Sequence, residues 1–154
     1  MHDSLKYAVV ERERRFLVAE VPGGVVEVRQ IVDHYLDGTR LRLREVINTD
    51  GRATHKLGHK VRMTSGPSEV VCTSVYPDDC EWELLRALSS RTLRKTRYII
   101  ERDGMRLAVD ELDDGTLLAE IDDGDAPPCA LPDWLKVLKE VTTEEQWTGA
   151  ELAT

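Results

Sequence analysis

The sequence contains only three cysteines, Cys72, Cys80 and Cys129, and no two of them form a Cys-x-x-Cys motif. An odd, scattered set argues against a disulfide or zinc framework and fits a reducing compartment. No apolar run approaches the roughly 18 residues of a membrane span. The opening Met1-His2-Asp3-Ser4-Leu5-Lys6 has the pattern of neither a signal nor a transit peptide. Positive charge is outnumbered: 21 lysines and arginines stand against 29 aspartates and glutamates, so the net charge is −8 and the pI is near 5. Bulk electrostatics therefore argue against a general binder of nucleic acid or of an anionic membrane. Repeats and low-complexity segments are absent. The expectation is a soluble, cytoplasmic protein with neither a nucleic-acid nor a membrane partner.

The 154 residues, 41% hydrophobic and 32% charged, fit one globular domain spanning the whole chain, 1–154. Against the negative balance, one stretch is conspicuous. In Thr39-Arg40-Leu41-Arg42-Leu43-Arg44, three arginines alternate with two leucines. A strand has a side-chain period of two, so the guanidiniums share one face and the leucines the other. Like charges stacked this closely need a counter-charge, from water, from carboxylates or from a polyanion.

Similar alternation recurs along the chain. Lys6–Val18 reads as a strand with Glu11, Glu13 and Arg15 on one face; as a helix, Glu11 and Arg15 would form an i,i+4 pair. A strand from about Val28 to Leu36 meets the arginine strand through the Asp37-Gly38 turn. The segment Ala53–Met63 places Lys56, Gly58 and Lys60 on one face, and a glycine between lysines marks a close approach of backbone or ligand. The run Thr64-Ser65-Gly66-Pro67 is a turn before a strand over Glu69–Tyr76. Pro77-Asp78-Asp79 starts a helix running from about Cys80 to Leu88, with Trp82, Leu85 and Leu88 inward. Leu93–Arg102 carries Lys95 and Arg97 on one face, Met105–Leu112 carries Arg106, Ala108 and Asp110, and Thr116–Ile121 leads into Glu120 and Asp122. Short helices are expected from Pro132 to about Val141 and over Thr143–Ala153.

These elements describe a mainly β, antiparallel domain of seven or eight strands with few helices. Apolar residues occupy the alternate positions: Leu41, Leu43, Leu107, Val109, Ala119 and Ile121. A solvated sheet face shows such alternation too. If instead the apolar faces pack outward against other elements, the charged faces converge inside a closed or nearly closed sheet. That interior would collect eight cations (Arg15, Arg40, Arg42, Arg44, Lys56, Lys60, Lys95, Arg97) and five carboxylates (Glu11, Glu13, Asp110, Glu120, Asp122). A cation surplus in a concave site selects a polyanion, since arginine forks suit phosphate oxygens and lysines add point charges. The carboxylates are hard-oxygen ligands for Mg²⁺ or Mn²⁺.

The order of motifs resembles the CYTH superfamily, the triphosphate tunnel metalloenzymes. The residues that carry the resemblance are Glu11-x-Glu13-x-x-Phe16-Leu17-Val18, Tyr35-Leu36-x-Gly38-Thr39 through Arg44, the strand around Lys56, Leu93-Arg94-Lys95-Thr96-Arg97-Tyr98, Val109-Asp110-Glu111-Leu112 and Leu117 to Asp122. The tail from Glu140 to Ala153 is similar to bacterial members. The resemblance implies an eight-stranded antiparallel β tunnel with peripheral helices and a C-terminal helix. It implies divalent-metal-dependent hydrolysis of a small triphosphate, inorganic tripolyphosphate first. A class IV-type adenylyl cyclase or a non-catalytic polyphosphate- or nucleotide-binding module are the alternatives.

By position, the resemblance makes Glu11, Glu13, Glu120 and Asp122 the metal ligands, with Asp110 a further ligand or water orienter. Arg40, Arg42, Arg44, Lys56, Lys95 and Arg97 become phosphate ligands, and Lys60 joins them on its strand face. The resemblance leaves a homodimer open. Three departures stand out. Arg15 occupies the catalytic place usually held by lysine. The middle strand Val70–Val75 lacks the usual glutamate pair. The late acidic pair is Glu-x-Asp. His34, His55 and His59 are expected to have no chemical role, Trp82, Trp134 and Trp147 to be core or plug contacts, and the cysteines to be buried and inert.

Overall fold

A computed structural model describes residues 5–63 and 69–154. The turn expected at 64–67 lies outside the described residues. Nine strands form in order: β1 (Val9–Val18), β2 (Val25–Leu36), β3 (Leu41–Ile47), β4 (Ala53–Arg62), β5 (Glu69–Val75), β6 (Ser90–Arg102), β7 (Met105–Leu112), β8 (Leu117–Asp122) and β9 (Val137–Glu140). Helix α1 (Asp79–Arg86) follows β5, and a 3₁₀ turn (Glu145–Trp147) and the one-turn α2 (Gly149–Leu152) end the chain. The sheet order is β5-β4-β3-β2-β6-β7-β8-β1, and β1 also pairs with β5. Eight antiparallel strands thus close on themselves, with β9 attached outside the ring along β1.

Closure divides every strand into two faces. Outward side chains form two apolar clusters. In the larger, Phe16, Val18, Ile100, Leu107, Val109, Ala119 and Ile121 pack with Leu135. In the smaller, Leu36 and Leu43 lie under Trp82 of α1. Helix α1 is held at its start by a capping box: Asp78 accepts from the Glu81 N–H (2.8 Å), and Glu81 accepts from the Asp78 N–H (2.9 Å). His55 stacks flat on Trp82 at 4.0 Å between ring centroids and bonds Glu45, so it belongs to this outer layer. The β6–β7 hairpin turns through Asp103 and Gly104, with φ of 52° and 76°, the mirror-image geometry that suits strand twist.

The first strand settles the helix-or-strand question for Lys6–Val18 in favour of strand. Three expectations need correction. No helix forms over 132–141; Leu135 is buried there and Val137–Glu140 is strand β9, because Val18, Leu17 and Phe16 of β1 offer it backbone partners. The terminal helix shrinks to a 3₁₀ turn and one α turn, since Thr154 is drawn into backbone bonds with Thr92. Only Cys72 is buried; Cys80 and Cys129 are exposed, as is Leu88, which lies beyond the end of α1.

Candidate functional site

The inward faces enclose a cavity of about 490 Å³. Its lining collects Glu11, Glu13 and Arg15 from β1, Arg42 and Arg44 from β3, Lys56 and Lys60 from β4, Lys95 and Arg97 from β6, and Glu120 from β8, with Arg40 just before β3. Strand register explains the convergence. Arg44 stands opposite Lys56, Arg42 opposite Gly58, and Arg15 opposite Glu120. Cross-strand partners share a face, so one alternating pattern places the next. Arg40 is exposed at the rim, near the C-terminal turn that supplies Thr148, Gly149 and Ala150 to the lining.

Four further cavity residues were not singled out in the sequence: Arg29, Tyr35, Arg62 and Arg91. A fifth omission, Asp33, shares the inward face with Arg44 and is completely buried beneath its guanidinium. Alternation along β2 puts Arg29, Asp33 and Tyr35 on one face, but no charge two positions from Asp33 marks that face in the sequence. Recognising it required the pairing of Asp33 with Arg44 and of Tyr35 with Arg42.

Two buried aspartates organise the walls. Asp33 accepts two bonds from Arg44, at 2.6 and 2.7 Å, and lies 3.8 Å from Arg42 Nε. Burial opposes ionisation of Asp33, but the Arg44 hydrogen bonds and the charges of Arg44, Arg42 and Lys95 outweigh it, and its pKa falls from 3.8 to about 2. Asp110 accepts from Lys95 Nζ (2.6 Å) and from Arg97 Nε and Nη2 (2.6 and 2.8 Å). Burial again opposes its charge, and Lys95 and Arg97 hold its carboxyl well below the usual range. Both Asp110 oxygens are thereby occupied, and Asp110 does not line the cavity. Arg97 also donates to Glu120 at 2.7 Å.

Of the four expected metal ligands, Glu11, Glu13 and Glu120 face the cavity. Asp122 does not reach it; its Oδ1 accepts from the N–H groups of Arg12 and Gly124 at the end of β8. Lys60 sits 3.2 Å from Glu11 and 3.9 Å from Glu13. Burial and then the neighbouring Glu120 raise the Glu13 pKa, with Glu11 adding to the effect. Among the described residues, no three carboxylate, imidazole or thiol groups converge into a ready-made cation cage. On β5, register turns Val70, Cys72 and Ser74 inward, while Glu69 lies opposite Arg12. The cavity wall there carries no carboxylate. Burial raises the Cys72 thiol to about 11, so it is inert as well as buried.

Arg15 takes its own place in the wall. Its Nη2 donates to the Thr142 carbonyl (3.1 Å), while its Nε is buried without a hydrogen-bond partner. A second depression, about 590 Å³ and lined by Leu57, Val75, Tyr76 and Leu84 among others, lies outside the ring and collects none of the candidate residues.

The closed ring has counterparts among solved structures. Two crystal structures of NE1496 superpose with a TM-score of 0.59 each. One is described as a hypothetical protein, 24% identical over 93% of this chain and 97% of that one. The other is described as the inorganic triphosphatase NE1496, 23% identical over 93% of both chains. The chain shares the fold of these structures, a closed eight-stranded antiparallel barrel. No protein-family model and no curated protein matches the sequence. The tunnel of this chain is thus shared as architecture, and its lining must be interpreted from its own residues.

Proposed function

We propose that the tunnel binds and hydrolyses a small triphosphate, with inorganic tripolyphosphate as the substrate. The observation that carries this reading is the charge of the cavity wall: eleven lysines and arginines face three glutamates, in a protein whose net charge is −8. Concentrated cations inside an acidic protein favour a compact, multiply charged anion. The description of NE1496 as an inorganic triphosphatase supports the same substrate class.

The chain's residues divide the work. Arg40, Arg42, Arg44, Lys56, Lys60, Lys95 and Arg97 neutralise and position the phosphates, which supplies most of the catalysis in phosphoryl transfer. Arg15, on the Glu120 side of the lumen, carries a permanent charge toward the leaving or attacking oxygen. Asp110 acts through Lys95 and Arg97 by fixing their positions. Glu11, Glu13 and Glu120 would hold a divalent cation such as Mg²⁺ or Mn²⁺. Burial first, and then the charges of Glu120 and Glu11, raise the Glu13 carboxyl, which a cation at that spot would offset, and Mg²⁺ needs only one or two carboxylates besides water and phosphate. A bound cation would neutralise phosphate charge and lower the pKa of water.

One observation favours a second reading. With no carboxylate on the β5 wall, the tunnel could retain its anion without turning it over. Phosphate release from tripolyphosphate with Mg²⁺ or Mn²⁺, in wild type and Glu13→Gln, tests the hydrolase. Metal-dependent release that falls at least 100-fold in the variant is expected. Tight calorimetric binding with no release would establish the non-catalytic reading instead.

A further inference from the structure

Helix α1 is fastened to the barrel along one side only. Trp82 is buried with Leu36 and Leu43, and Leu85 packs against the same cluster. With about 3.6 residues per turn, Leu84 points away from that contact. It is 74% exposed, and Leu88, just past the end of the helix, is 53% exposed. Val75, the last residue of β5, is 52% exposed, and Tyr76 after it is 68% exposed. These segments meet at the depression of about 590 Å³ outside the ring. Leu84 and Leu85 of α1 line it, with Val75, Tyr76 and Pro77 from the end of β5 and the link to the helix, and Leu57 from β4.

A single apolar side chain on a surface needs no explanation, but a contiguous patch around a hollow does. At these exposures Val75, Tyr76, Leu84 and Leu88 leave on the order of 500 Å² in solvent, as large as the main patch of a typical monomer. The lining narrows the occupant. It contains no lysine or arginine, so neither an anionic membrane nor a nucleic acid finds a counter-charge there. Its one charged member, Glu81, has its carboxylate turned back to the Asp78 N–H at 2.9 Å. The same face also carries both halves of a fit: the hollow over Leu57 and, at its edge, the projecting Leu84 and Tyr76. A twofold pairing would seat the projections of each copy in the hollow of the other. Two such patches brought together cover about 1,000 Å² in total, where specific interfaces begin, and tyrosine is among the residues that carry most of the energy in such contacts.

We infer that the face formed by α1 and the end of β5 is an interface between two copies of this chain, with Leu84 and Tyr76 at its centre. The inference does not rest on the proposed activity, since the depression shares no lining residue with the tunnel. An interface of this size gives a reversible dimer rather than an obligate one.

Sedimentation velocity from micromolar to millimolar protein tests it, with thermal melts at the lowest concentration to show that each variant folds. Wild type is expected to pass from monomer to dimer across that range. Leu84→Glu and Tyr76→Glu are each expected to weaken association at least tenfold and to leave the dilute melting temperature unchanged, because both side chains already face solvent. Leu138→Glu adds the same charge at a leucine that is 69% exposed on β9, outside the depression, and is expected to leave association unchanged. A wild type that stays monomeric throughout overturns the inference. So does a dimer that survives Leu84→Glu and Tyr76→Glu, or one that Leu138→Glu weakens equally. Should one of the two patch variants fail to fold, the other decides.

Discussion

Asp33 and Arg44 face each other across the β2–β3 pairing, and their side chains meet in a two-point contact of 2.6 and 2.7 Å with the carboxylate wholly buried. A fork on a carboxylate fixes the guanidinium plane as well as its position. One wall of the tunnel is therefore set by an acidic residue that never touches the lumen.

The pair makes stability pH-dependent. Burial disfavours the charged Asp33, but Arg44 outweighs burial and holds the pKa at about 2, against 3.8 ordinarily. The unfolded chain takes up this proton first on acidification. The stabilisation is complete above pH 4 and is lost as pH falls through about 2, for a change of about 2 kcal/mol. Denaturant titrations at pH 5 and pH 2 should show that loss in wild type. Asp33→Asn should be about 3–5 kcal/mol less stable at pH 7, with Arg44 left unpaired, and should lack this part of the acid dependence.

Glu13 has the opposite sign. Burial, Glu120 and Glu11 together raise its pKa, so its charged form destabilises the ligand-free fold as pH rises. Glu13→Gln should melt higher than wild type at pH 7 without ligand, while losing metal-dependent phosphate release. A lower melting temperature would mean that the Lys60 contact at 3.9 Å outweighs the repulsion.

Gly149 is required by space, not by backbone conformation. A Cβ built there would overlap the Tyr35 hydroxyl and press on the ring, and Leu93 is also within contact. Gly149→Ala should cost about 1–3 kcal/mol through overpacking and should increase proteolysis after Thr142. Gly58→Ala, where the nearest atom is 3.6 Å away, should cost much less.

Trp82 joins α1 to the barrel through Leu36, Leu43 and His55. Trp82→Ala should cost about 3–5 kcal/mol in chemical denaturation. Below the transition, the affinity for tripolyphosphate should be unchanged, because Trp82 lies outside the ring.

The strand faces were legible because period-two alternation survives wherever one side is charged and the other apolar. Arg40 to Arg44, Lys56 with Lys60, and Lys95 with Arg97 all point where that period places them. Asp33 was not legible, since it sits between Val32 and His34 with no charged neighbour two positions away. Its meaning depends on Arg44, eleven residues on. The 132–141 segment failed for a related reason. Pro132-Asp133-Trp134 is a sound helix start locally, but β1 offers Val137–Glu140 a backbone ladder that no local signal announces. Asp122 likewise obeys the alternation, yet it ends its strand and turns to cap Arg12 and Gly124.

Two apolar clusters lie outside the ring, while the lumen gathers the charged groups and, at one mouth, a small apolar cluster of Leu93, Leu112 and Ala153. Neighbouring residues on a strand, such as Arg42 and Leu43, therefore answer to different selection pressures. Lumen positions can change their chemistry without disturbing the apolar layer, since Arg42 faces the cavity while Leu43 packs under Trp82. A scaffold of this kind can acquire a new ligand or lose a reaction while its shape persists.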